Sequence, residues 1–208
     1  MNDVVDHLVY AAPDLDSAVE DLERRLGVGA VAGGRHPGEG TRNALIALGP
    51  SSYLEILAPD PLQPPPNRAL WLGVEGLARA RLTAWAVKGR DLEGLVRRAR
   101  EGGVRLGRVI EGARRRPDGV MLAWSCTDPH TVVADGLVPF FIDWGGSPHP
   151  AVSAPQGASL SALRAEHPNP AGVAALLKAL GLDLPVTKGP RSALIAVLET
   201  SGGLVEMR

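Results

Sequence analysis

TRNALIALGPSSYLEIL, residues 41–57, and PRSALIAVLETSGGLVEM, residues 190–207, are two writings of one passage. Arg42, Ala44, Leu45, Ile46 and Ala47 recur as Arg191, Ala193, Leu194, Ile195 and Ala196, and each copy then carries a glutamate, Glu55 or Glu206, inside an apolar run. Repetition at this distance signals one supersecondary unit used more than once. A carboxylate within an apolar strand is costly unless it is partnered, so the two glutamates also mark where chemistry is to be sought.

Working outward from the first copy, Val4–Ala11 reads as a strand and Pro13-Asp14-Leu15-Asp16-Ser17 opens a helix with acidic residues in its first turn. Leu15, Ala18, Val19, Leu22 and Leu26 follow helical spacing up to a stop at Gly27. Extended segments follow at 30–33, 43–48 and 53–57, giving the order β-α-β-β-β. The pattern restarts with a strand at 82–87, a helix at 91–102 and strands near 105–110, 120–126 and 138–144. It appears a third time, shortened, with a strand at 159–165, a helix at 170–180, a faint strand around 184–186 and closing strands at 192–198 and 204–207. Equivalent helix starts at Leu15, Leu92 and Asn169 space the repeat by roughly 77 residues. The expected organisation is a first module over 1–60, a Pro-rich linker over 61–80, a second module over 81–146, a linker over 147–157 and a third module over 158–208. The fold class is α+β.

Composition is ordinary for a globular chain: 208 residues, 45% hydrophobic and 22% charged, with a formal net charge of −1. That balance gives no electrostatic case for nucleic acid or an acidic membrane as partner. No stretch approaches the ~18 apolar residues that span a bilayer. The opening residues lack the pattern of a signal peptide, and the single Cys126 suits a reducing compartment, so the expected location is cytoplasmic.

Tandem β-α-β-β-β units with a histidine in the first strand and a glutamate in the last resemble the vicinal oxygen chelate superfamily, and more narrowly its glyoxalase-like proteins. The residues that carry the likeness are His7-Leu8-Val9 with Pro13-Asp14-Leu15-Asp16, Gly34-Arg35-His36-Pro37-Gly38 with Gly40-Thr41 and Asn43, Tyr53-Leu54-Glu55, Arg115-Arg116-Pro117-Asp118-Gly119, and Pro139-Phe140-Phe141-Ile142-Asp143-Trp144. The resemblance implies a cup-shaped, partly open, antiparallel-rich sheet built from two facing modules. It also implies a divalent metal (Zn, Ni, Mn or Fe) in the cup, to which two vicinal oxygens of a small substrate bind, and chemistry of the lyase, isomerase or dioxygenase kind.

His7 and Glu55 match the ligand positions of the first module. The second module offers Ala84 or Trp85 and the third Ser161 where a second histidine would stand, so the four-ligand pattern is broken. Asp143 or Glu206 is left to complete the shell or to move a proton, and Glu55 and Asp143 are the candidate acid–base groups. Arg35, His36 and Asn43, around a glycine-rich loop, are candidates for substrate contact. So is Arg116, in an arginine run read as a turn and able to grip a carboxylate or phosphate. Trp85 and Trp124 are candidate walls of an apolar pocket. Arg42, by strand alternation, is expected to face away from the cup. A metal-free cup that sequesters a small molecule is the alternative reading. An odd third module gives the expectation of a homodimer in which third units meet.

Overall fold

A computed structural model describes residues 2–208. Its strands are β1 (Val5–Ala11), β2 (Val31–His36), β3 (Thr41–Ala47), β4 (Tyr53–Pro59), β5 (Arg81–Lys88), β6 (Val109–Arg115), β7 (Met121–Thr127), β8 (Phe140–Asp143), β9 (Ala158–His167), β10 (Val186–Lys188), β11 (Ala193–Thr200) and β12 (Gly203–Met207). Its α-helices are α1 (Leu15–Leu26), α2 (Leu92–Glu101) and α3 (Pro170–Ala179). The expected element order therefore stands for all three units.

The first two units make one eight-stranded sheet, ordered β2-β3-β4-β1-β5-β8-β7-β6. Each unit closes on itself by a parallel pair, β1 with β4 and β5 with β8, and the two join by the antiparallel pair β1–β5. The sheet curls until its edges meet. Gly34, at φ +140, lies where an added Cβ would collide with the Arg115 carbonyl, and Arg114 donates from its guanidinium to the Gly33 carbonyl. The third unit has the same element order but pairs differently, as a separate sheet β10-β9-β11-β12 with β9 and β10 parallel.

Strand alternation gives the curled sheet two apolar faces. Leu8, Ile46, Leu54 and Ile56 turn outward to meet Leu15, Leu22 and Leu26 of α1 and, further on, Leu163, Leu177 and Leu194 of the third unit. Each buried leucine or isoleucine contributes about 1.5–3 kcal/mol. Asp14 caps α1 by accepting from the Ser17 amide at 2.9 Å, and Gly27 ends it in the left-handed conformation. Arg42 faces outward as expected and pairs with Asp16 at 3.1 Å. The inner face carries His7, Asn43 and Glu55, and it lines the cup.

Candidate functional site

His7 stands beside Tyr53 in the β1–β4 register, with their rings stacked at 4.6 Å, and Val9 stands beside Glu55. The β1–β5 ladder slips between Val5 and His7, a bulge that lets consecutive side chains, Asp6 and His7, serve one network. Asp6 Oδ1 lies 2.7 Å from His7 Nδ1. The same carboxylate accepts from the Trp144 indole at 3.2 Å and lies 3.2 Å from His149 Nε2. Burial alone would push the Asp6 carboxyl up, yet its hydrogen bonds with His149 and His7 hold it well below the usual carboxylate range. Asp6 is therefore an anion that orients His7, and it assigns the proton of a neutral His7 to Nδ1. The other nitrogen, Nε2, faces Glu55 Oε2 across 3.8 Å.

Glu55 is fixed from the other side. Asn43 Nδ2 donates to Oε1 at 2.5 Å, and His36 Nε2 lies 3.7 Å from the same oxygen. Asn43 Oδ1 is buried against Gly33. His36 Nδ1 is 2.9 Å from the Thr41 hydroxyl, which also accepts the Trp71 indole N–H at 3.0 Å. Burial pushes the His36 imidazolium down to about 4, against the pull of Glu55, so the ring is neutral at pH 7. Arg114, buried in the wall, adds a fixed cation; burial lowers its pKa, but it stays charged. Cys126 faces the same space, its thiol pushed up to about 12 by burial, which makes it inert as a nucleophile.

Trp71 and Leu72, from the stretch read as a linker, close the cup from above, and Trp124, Trp144 and Phe140 wall it. Gly112 stands opposite Trp124 in the β6–β7 register, and a side chain there would collide with the indole. About 30 Å³ remains free inside, roughly the share of one water molecule.

The structure brings His7, His36, Asn43, Glu55 and Trp124 together, and it places the other expected residues elsewhere. Trp85 belongs to the outer core, where its indole donates to the Leu137 carbonyl at 2.9 Å; the ladder sets it beside outward-facing Leu8 rather than His7. Asp143 alternates with cup-facing Ile142 and Trp144, so it points away and accepts from the Gly145 amide at 2.8 Å. Arg35 alternates with His36 and pairs with Asp60 at 3.2 Å, its side chain 53% exposed. Arg116 belongs to the turn and pairs with Asp118 at 2.6 Å. Glu206 lies on the separate sheet, half-exposed between Arg164 at 2.7 Å and Arg208 at 2.9 Å. The arginine run was expected to be all turn, but β6 extends to Arg115, which aims Arg114 inward. Asp6, Tyr53, Trp71, Arg114 and Trp144 were missed. Asp6 carried a visible signal, being a charged group beside His7 in the same apolar strand; the others gave none that separates cup from core.

A family model described as glyoxalase-like domain matches residues 5–181. The chain belongs to the glyoxalase-like domain family. No match to this glyoxalase-like protein is found among curated proteins. Among solved structures, a hypothetical protein from Staphylococcus aureus shares 17% identity at a TM-score of 0.63, covering 97% of this chain and 84% of that one. A mutant 4-hydroxymandelate synthase from Streptomyces coelicolor shares 16% at 0.50, covering 98% and 61%. Methylmalonyl-CoA epimerase from Mycobacterium tuberculosis shares 23% at 0.42, covering 67% and 85%. At these identities the likeness is one of fold alone.

The divalent ion implied by the resemblance can be tested against the donors present. The first module offers His7, Glu55 and His36, but the strand positions facing them from the second module are Ala84, Ala86 and Ile142. Among the described residues no three His, Cys, Asp or Glu side chains form a group able to hold a metal ion, and Arg114 sets a positive charge in the same wall. The residues do not fit the ion. What they make is a buried cluster: an oriented imidazole, a carboxylate facing it, a neutral second imidazole and a cation.

Proposed function

We propose that this chain is an enzyme that moves a proton on a small carbonyl compound, an isomerase or lyase reaction run by the side chains of the cup. The observation that carries this reading is the alignment of Asp6, His7 and Glu55, with His7 Nε2 and Glu55 Oε2 3.8 Å apart in a buried cavity. His7 removes a proton from the carbon next to the carbonyl. Asp6 balances the imidazolium that forms, as a buried carboxylate does for an imidazole base. Negative charge gathers on the carbonyl oxygen, which Arg114 and a neutral His36 stabilise in a site shielded from water. Glu55, held by Asn43, is the second proton carrier, and the proton returns at a neighbouring atom or leaves with a departing group.

A panel of 2-oxo and 3-oxo acids incubated in D2O and followed by proton NMR tests this. Deuterium incorporation is expected with the native protein and is expected to fall on the order of 10²–10⁴-fold in His7→Ala. Equal exchange in both proteins would overturn the assignment. Near-stoichiometric metal in native protein, lost in His7→Ala, would move the chemistry to a bound ion. Sequestration without turnover is favoured by the aromatic walls, Trp124 and Trp144 at 5.4 Å between ring centres, and would give binding with no exchange at all.

A further inference from the structure

The free space of the cup, about 30 Å³, is too little for a whole substrate and leaves room only for its reacting atoms. A second cavity of about 220 Å³ adjoins it between β2, β3 and the β6–β7 hairpin. Its walls are apolar: Val31, Leu45, Leu122 and Pro150. Arg114 lines both cavities. Arg116, the other cation along this cavity, is already neutralised by Asp118. A buried cation that borders an apolar cavity, bonded to the Gly33 carbonyl but in no ion pair among the described residues, matches a molecule with an anionic head and an apolar body.

Resting on the acid–base reading of the cup, we propose that the molecule it receives is an amphiphilic monocarboxylic acid. The carboxylate sits at Arg114 beside the carbonyl oxygen that the same guanidinium stabilises, the carbon that loses its proton faces the cup, and an unbranched or aryl tail fills the outer cavity. At about 30 Å³ per non-hydrogen atom the outer cavity holds roughly seven such atoms. The acid carries a single negative charge, because Glu55 already acts on Arg114 from within the cup and a second anionic group would meet that carboxylate. A tail that buries methylenes here gains affinity at a rate set by apolar transfer, about fourfold per methylene.

Isothermal titration with straight-chain carboxylates from acetate to decanoate tests this on the native protein. Affinity is expected to rise about fourfold per methylene and to level off once the tail reaches roughly seven carbons. Hexanoate is expected to bind at least about tenfold tighter than 1-hexanol, because only the acid pairs with Arg114. Val31→Glu, a rim substitution on a partly exposed residue, is expected to weaken the longer acids and leave acetate unchanged. A flat series, or equal binding of hexanoate and 1-hexanol, overturns the proposal. Chain-length-dependent binding in a protein that exchanges no deuterium supports the tail pocket and overturns the proton-transfer reading alone. Exchange of short oxo acids with a flat series does the reverse.

Discussion

The hairpin β3–β4 and the hairpin β11–β12 share a wording and diverge in what surrounds them. Both pair antiparallel, and both set their glutamate opposite an apolar residue, Glu55 against Leu45 and Glu206 against Val197. In the first hairpin, β4 also pairs with β1, so Glu55 is enclosed by a second strand and by the cup, with Asn43, His7 and His36 around it. In the second, β12 is an edge strand, and Glu206 faces solvent between two arginines. One sequence pattern thus yields a buried, hydrogen-bonded carboxylate or a screened surface ion pair, according to whether another strand covers it.

The comparison can be broken most severely at the group that orients the enclosed site. Asp6→Asn is expected to cut turnover on the order of 10²-fold or more while the fold survives, since the amide keeps the shape but not the charge. Steady-state rates beside circular dichroism check this, and an unchanged rate would detach His7 from its partner. Next in size, Asn43→Ala strips Glu55 of a buried hydrogen bond and is expected to cost about 1–3 kcal/mol in urea unfolding. Arg164→Ala, which strips Glu206 of a surface partner, is expected to leave the midpoint unchanged.

A pH series sharpens the contrast further. The folded-state pKa of His36 lies near 4, against 6.5 for an ordinary histidine, so between these values the unfolded chain binds a proton that the folded one refuses. Stability is then fully present above about pH 6.5 and declines as the pH falls toward 4. His36→Gln is expected to flatten that part of a thermal-midpoint profile, and an unaltered slope would remove His36 from the account. The smallest effect belongs to Cys126: with its thiol pushed up to about 12, iodoacetamide at pH 8 is expected to label it only after unfolding, as mass spectrometry would show.

Much of the fold was legible because it rests on period and punctuation. The α1 stripe of Leu15, Ala18, Leu22 and Leu26, stopped by Gly27, could be read directly, and the β-α-β-β-β order held in every unit. Strand pairing was less legible. Nothing local to 186–188 announces that β10 joins β9 in parallel, whereas β2 stays at an edge of the large sheet. His7, His36, Asn43, Glu55 and Trp124, which the structure gathers in the cup, could be singled out because polar or aromatic groups stood out in apolar strands. Trp85 and Asp143 misled for the same reason, since a one-residue shift in alternation sends a side chain to the other face. Arg114 was hidden in a run of three arginines, where only the length of β6 decides which one turns inward. Trp71 was hidden in a Pro-rich stretch whose path over the cup depends on tertiary contacts, among them its bond to Thr41.

The most direct measurement is deuterium incorporation into an oxo acid that the native protein exchanges, compared between Glu55→Gln and Glu206→Gln. The enclosed glutamate is predicted to be needed, with exchange falling on the order of 10²-fold or more, while the surface glutamate leaves the native rate intact. Loss of exchange in Glu206→Gln, or native exchange in Glu55→Gln, would contradict the assignment of the chemistry to the cup of the first hairpin.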